Sequence, residues 1–332
     1  MKSSIKFAAL VQPLFALLAF AQYPNPIPGS SNVIVRDPAI WYNSASGACK
    51  YFVFSTGGGI QIFTSTALTG PWSNVGFVLP GCSSVNNPGK CDLWAPDVNY
   101  YNGRYVLYYS ASALGTQNSV IGVATSPSME PGTWTDHGAV VTSVPGDVYN
   151  AIDPNLIDWN GLKLSFGSYW NGIYQIGLWP DVWNPASSTP GTHLACANGR
   201  ACEGGFTYKP PSSPYYFFFF SAGITPLQGA TSRPPPGGEY KVLVGRGSGG
   251  MGPFYGQLGN DLTLDLNPPT GSLVLPSHDN IYAPGGQSIF FDPVSQRDVM
   301  VYHYVPNNAF GGPSYLGINY LDFSSGWPVV VN

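Results

Sequence analysis

The stretch Asp153-Pro154-Asn155-Leu156-Ile157-Asp158-Trp159-Asn160-Gly161-Leu162-Lys163-Leu164-Ser165-Phe166 decides the fold. An Asp-Pro opens it, a short apolar run follows, and after Asn160-Gly161 the chain alternates apolar and polar. Asn-Gly between two such runs signals a β-hairpin, because both turn residues must adopt positive φ. The same order recurs on either side. Upstream it starts at Asp37-Pro38, with aromatic-rich runs at 51–55 and 60–63, and again at Ala95-Pro96-Asp97, with runs at 105–110 and 120–124 around Asn102-Gly103. Downstream it starts at Glu203-Gly204-Gly205, with runs at 215–221 and 240–244, and at Ala283-Pro284-Gly285-Gly286, with runs at 299–304 and 315–318. Five restarts of three or four short strands predict an all-β, five-bladed β-propeller. A β-sandwich would not need a motif that restarts each unit. In a propeller the first strand of every unit lines the central channel, so the restarting motifs face one axial pocket.

Composition narrows the function. Of 332 residues only 13 are Lys or Arg and 17 Asp or Glu, 9% in all, against about 25% in an ordinary soluble domain. Aromatic residues make up 14% and the net charge is −4. No basic stripe exists to neutralise phosphates, so nucleic acid is excluded as a partner. The 44% apolar content excludes disorder. A charge-poor, aromatic-rich surface suits a neutral, flat-faced ligand such as a sugar. Lys2 and Lys6 precede an apolar run over 7–21 that ends Ala19-Phe20-Ala21. This reads as a secretory signal peptide at 1–21, too short to span a bilayer. A single catalytic propeller at 22–332, secreted to the extracellular space, monomeric and without a membrane partner, is expected. In an oxidising compartment, local pairs Cys82 with Cys91 and Cys196 with Cys202 are the economical reading, leaving Cys49 as a free thiol; other pairings stay open.

With so few charges, position matters more than number. Asp37, Asp153 and Glu203 stand at equivalent unit openings, and Asp97 lies two residues past the corresponding Ala95. An Asp before Pro is often only a turn former, but that explanation must then hold at three repeat-equivalent positions. Glycoside hydrolysis supplies a reason for them. One protonated acid serves the leaving oxygen, one carboxylate activates water or attacks carbon, and like charges nearby keep the acid protonated. His137, His193, His278 and His303 are too few and scattered to suggest a triad or a His-rich metal site.

At these residues the chain resembles glycoside hydrolase family 43, and within it the fungal endo-1,5-α-L-arabinanases. The stretches that carry the resemblance are Val35-Arg36-Asp37-Pro38-Ala39-Ile40, Leu93-Trp94-Ala95-Pro96-Asp97-Val98, Tyr149-Asn150-Ala151-Ile152-Asp153-Pro154-Asn155 and Cys202-Glu203-Gly204. The resemblance implies inverting endo-hydrolysis of arabinan or another neutral plant polysaccharide. Asp37 would be the general base, Glu203 the general acid, and Asp153 the carboxylate that raises and orients the acid. Trp94 and Trp170 would offer faces to sugar rings, and Asn150 and Ser168 hydrogen bonds to hydroxyls. Bacterial members carry Gly-Pro-Gly-His in blade five, whose His helps hold a metal ion. Here Gly286 stands at that place, so no cofactor or metal is expected, with His278 left as the candidate to approach the axis. The insert 227–238 is expected to reshape the substrate rim. Alternatives within the fold are an exo-acting α-L-arabinofuranosidase or a β-xylosidase; a non-catalytic sugar-binding propeller would not need all three acids.

Overall fold

A computed structural model describes residues 23–44 and 50–332 of the chain. The proposed signal peptide and Cys49 lie outside the described residues. Each unit forms one four-stranded sheet whose strands follow in sequence order from the channel outward. Blade one is β1 (Ala39–Asn43), β2 (Lys50–Ser55), β3 (Gln61–Ser65) and β4 (Ser73–Phe77). Blade two is β5 (Trp94–Tyr101), β6 (Arg104–Ala111), β7 (Ser119–Ser126) and β8 (Thr135–Ser143). Blade three is β9 (Asn155–Asp158), β10 (Leu162–Phe166), β11 (Ile173–Gly177) and β12 (Thr192–Ala195). Blade four is β13 (Cys202–Tyr208), β14 (Tyr216–Ala222), β15 (Lys241–Gly247) and β16 (Ser272–Leu275). Blade five is β17 (Ile281–Asp292), β18 (Arg297–Pro306), β19 (Tyr315–Asp322) and β20 (Val329–Val331). The Asn-Gly hairpins take the predicted left-handed geometry, with φ of 48° and 81° at Asn102 and Gly103, and 50° and 93° at Asn160 and Gly161.

The aromatic surplus goes between blades. Because side chains alternate along a strand, Phe217 and Phe219 of β14 enter the core shared with blade five, while Phe218 and Phe220 enter the core shared with blade three. In β6, Tyr105, Leu107 and Tyr109 face blade one, and Val106 and Tyr108 face blade three. In β2, Phe52 and Phe54 face blade two, and Tyr51 and Val53 face blade five. These three strands are thus apolar on both faces, which is why their sequences read as runs, whereas β10 of blade three alternates Leu162, Leu164 and Phe166 with Lys163 and Ser165. The ring closes where the N-terminal segment runs beside β19: Ile27 N–H donates to Ile318 O at 2.9 Å and Leu316 N–H to Val33 O at 2.9 Å.

One local shape recurs at the channel. The residue before proline is left-handed at Asp37 (φ 45°), Ala95 (46°), Asp153 (57°) and Ala283 (53°). Blade four lacks the proline and places its kink at Gly204 (φ 62°), inside a register irregularity that follows Glu203. Left-handed non-glycine residues are costly and persist only where neighbours hold them.

Candidate active site

The kinked openings border a cavity of about 900 Å³ lined from every blade, among others by Asp37, Trp94, Asp153, Glu203 and Gly286. A ring of side chains near the inner ends of the blades fastens each opening to its neighbour. Thr56 of blade one accepts Ala95 N–H at 2.9 Å, and Ser110 of blade two accepts Asp153 N–H at 3.1 Å. Ser168 of blade three donates to Glu203 Oε2 at 2.8 Å, and Ser221 of blade four accepts Gly286 N–H at 2.9 Å. In blade five an imidazole does this work: His303 Nδ1 accepts Asp37 N–H at 3.1 Å. Four of these bonds satisfy backbone donors at the openings, and the Ser168 bond holds the Glu203 carboxylate instead.

The three carboxylates sit in different electrostatic surroundings. Burial pushes Asp37 up, but the contact with His303 (Nδ1 to Oδ1, 3.3 Å), the Arg36 guanidinium (Nε to Oδ2, 3.9 Å) and the Thr56 hydroxyl (2.9 Å to Oδ2) outweigh it. The result is a pKa lowered to about 2. Asp153 is pushed well above the usual carboxyl range by burial and then by the negative charges of Glu203 and Asp37, against one backbone bond from Gly204 N–H at 3.0 Å. Glu203 is raised as well, by burial and by Asp37, against hydroxyl bonds from Ser168 and from Tyr240 at 3.0 Å. Burial disfavours charge and like charges disfavour joint ionisation. The readily ionised Asp37 therefore faces a pair whose charged forms are disfavoured.

The predicted substrate contacts divide. Trp94 and Trp170 both line the cavity, half-buried. Trp170 follows Tyr169 in a rare consecutive left-handed pair (φ 37° and 52°), held by Tyr169 N–H on Cys202 O at 2.9 Å. The Cys196–Cys202 disulfide forms, as does Cys82–Cys91, so the residue before Glu203 is tied to the same neighbourhood. Asn150 borders the cavity, but its Oδ1 is taken by Ser119 at 2.7 Å. Ser168 lines the cavity and donates to Glu203 Oε2. Asp97 is buried and accepts Leu156 N–H (2.8 Å) and the amides of Asn155 (3.2 Å) and Asn99 (2.7 Å), joining blade two to blade three. Burial still leaves it raised to about 6.

The candidate axial histidine is not the one expected. His278 does not border the cavity; its ring lies 5.9 Å from that of Tyr23. His303 approaches the axis instead, and a Cβ on Gly286 would come within 2.7 Å of its Nδ1. A histidine at 286 has no room there. Among the described residues no group of three or more His, Cys, Asp and Glu side chains is placed to hold a metal ion. Besides His303, sequence reasoning missed Thr56, Tyr240 and Gln287. Gln287 holds the Gly204 carbonyl beside the acid at 2.8 Å and accepts from Ser221 at 2.8 Å. The insert does reach the rim: Leu227 lines the cavity, and Arg233 is clamped between the rings of Tyr282 and Phe310 at 4.3 and 4.7 Å.

A readily ionised carboxylate and a carboxyl pair whose charged forms are disfavoured, around one open cavity, define the equipment of an acid–base glycoside hydrolase. The sequence profile of Glycosyl hydrolases family 43 matches residues 23–328, and the chain belongs to that family. It is 41% identical over 333 residues to the arabinan endo-1,5-alpha-L-arabinosidase A of Aspergillus aculeatus, covering 97% of this chain and 98% of that protein. Its fold is similar to an exo-1,5-alpha-L-arabinanase from a bovine ruminal metagenomic library (TM-score 0.79, 29% identity, 92% of this chain and 99% of that one). It is also similar to a Cellvibrio cellulosa alpha-L-arabinanase complexed with arabinohexaose (TM-score 0.77, 28% identity, 90% of this chain and 96% of that one).

Proposed function

We propose that this protein hydrolyses internal 1,5-α-L-arabinofuranosidic bonds of arabinan with inversion at the anomeric carbon. The observation that carries the reading is the contrast in protonation: Asp37 lowered to about 2 while Glu203 and Asp153 are raised in the same cavity. Asp37 takes a proton from a water whose oxygen attacks the anomeric carbon. Glu203 gives its proton to the departing glycosidic oxygen as that carbon–oxygen bond breaks. Burial and the charge of Asp37 keep the acid protonated, and Asp153 orients it by accepting Gly204 N–H at 3.0 Å. Trp94 and Trp170 offer apolar faces to the furanose rings, and a cavity of about 900 Å³ has room for more than one sugar. The choice of endo action and arabinan follows the Aspergillus relative. The exo-named neighbour supplies the second reading. Export is supported by the two disulfides, which persist in oxidising compartments.

Linear arabinan, xylan and an aryl arabinofuranoside separate the readings. A ladder of short arabino-oligosaccharides is the expected product, and release of monosaccharide alone refutes endo action. Proton NMR of the first product reads its anomeric configuration. Asp37→Asn and Glu203→Gln should each slow turnover by ~10²–10⁴-fold while the fold is kept; a near-normal rate in either removes that carboxylate from its role. N-terminal sequencing of protein recovered from culture medium should begin near Gln22.

A further inference from the structure

We propose that His303 is the positioning residue of the base, holding Asp37 in its kinked conformation and aiming its carboxylate; this rests on the reading of Asp37 given above. Four of the five inter-blade fastenings use a hydroxyl, from Thr56, Ser110, Ser168 and Ser221. Only the one that closes on Asp37 uses an imidazole. A hydroxyl suffices to fasten a blade and even to hold the Glu203 carboxylate, so the exception marks the one opening whose backbone is held by a rigid, fully buried ring.

The local geometry shows what the ring adds. His303 lies in β18 and is 1% exposed, opposite Gly285 and Leu316 in the sheet. Its Nδ1 meets two atoms of one residue, Asp37 N at 3.1 Å and Asp37 Oδ1 at 3.3 Å. With its lone pair on Asp37 N–H, this nitrogen fastens the backbone that carries the carboxylate, whose Oδ1 lies beside the same ring. Its Nε2 lies 3.4 Å from Thr225 Oγ1, which also accepts Arg36 Nη2 at 3.1 Å, so Nε2–H can donate there and leave the Nδ1 lone pair toward Asp37 N–H. Tyr240 stacks on the ring at 5.8 Å between centroids and fixes its plane. The charged and titratable groups facing the ring are Asp37 and Arg36 on the strand-one approach and Tyr240 beside β15, with Glu203 one hydrogen bond beyond Tyr240. Gly286, left-handed at φ 57°, leaves the space in which ring and carboxylate meet. Losing the Nδ1 contact frees the Asp37 backbone and lets the carboxylate drift from Arg36 and the Thr56 hydroxyl, which hold it low.

Two amides of the same chemistry test this, because asparagine places its polar atoms at the Nδ1 site and glutamine reaches toward Nε2. For His303→Gln, kcat on linear arabinan should fall ~10²-fold, the loss expected when a reacting group is misplaced by about 1 Å. KM should change little, and the acid limb of kcat/KM should move to higher pH. His303→Asn should retain kcat within about tenfold of wild type, since it keeps an acceptor for Asp37 N–H. His303→Phe, which keeps a ring against Tyr240 without the nitrogen, should behave as His303→Gln does. Equal rates in the Asn and Gln variants, or an acid limb that stays put while kcat falls, would mean that the ring only fills space. In an Asp37→Asn background His303→Gln should cost nothing more. If Asp37→Asn itself is active, the base assignment fails; if Asp37→Asn is inactive and His303→Gln is not, only this inference fails.

Discussion

Gly286→Ala is the substitution that probes the site most sharply. A Cβ at this position would lie 2.5 Å from Asp37 Oδ1, 2.7 Å from His303 Nδ1 and 2.9 Å from His303 Cε1. Carbon and oxygen pack at roughly 3.2 Å or more, so something must move by about 0.5–0.7 Å, and neither neighbour is a free-swinging side chain. Asp37 is pinned at its backbone and both oxygens, and His303 is fully buried. The left-handed φ of 57° adds about 1–2 kcal/mol for any residue with a Cβ. That backbone cost alone lowers Tm by about 2–4 °C in a chain of this size. Misplacing the base by half an ångström or more should cost about 10–100-fold in kcat. Gly103→Ala is the control: its φ is 81° and a Cβ there meets nothing within 4 Å. The control should lose similar stability and no activity. The assay is reducing-sugar release from linear arabinan alongside a thermal melt. Gly286→Ala with wild-type kcat, or a Gly103→Ala loss of the same size, would refute the claim that Gly286 makes room for the base and its histidine.

Two further outcomes follow from the electrostatics and the covalent framework. The folded-state pKa of Glu203 is raised, so the native protein binds more protons than the unfolded chain above the ordinary glutamate range, and stability contributed by this group falls as pH rises through that window. Glu203→Gln should therefore melt higher than wild type at pH 7–8 and converge with it near pH 4; a gap that does not change with pH contradicts the raised pKa. Replacing Cys196 and Cys202 together by Ser opens a short loop and should cost about 2 kcal/mol. Activity should fall as well, because Cys202 precedes Glu203 and its carbonyl holds Tyr169. Unchanged turnover with only a lower Tm would confine the bridge to stability.

The blades were legible because their signals are local: Asn-Gly turns, Asp-Pro openings and aromatic runs of strand length. The carboxylates were legible because charge is scarce and repeats make equivalence visible. His303 was not, since it sits mid-run in β18 and meets Asp37 only when blade five closes on blade one, a contact spanning 266 residues. The comparison that could have found it was with Ser110 and Ser221, which stand next to last in the matching strands of blades two and four. The bond from Ser168 to Glu203 was not legible, because side-chain direction across a blade boundary leaves no trace in spacing. Asp97 resembled Asp37 and Asp153 by position; its three internal hydrogen bonds distinguish it as a fastener.

The repeated left-handed turn separates aiming from reactivity. Blades one and three put a carboxylate on it, yet blade two makes the same turn with Ala95, which borders the cavity at φ 46°. The backbone there is already bent and already fastened by Thr56. Position 95 is thus a vacant socket: a longer side chain installed at this alanine would inherit a direction into the channel without any change of main chain. New specificity in this architecture can arise one blade at a time, by exchanging what the turn carries while the turn itself stays as it is.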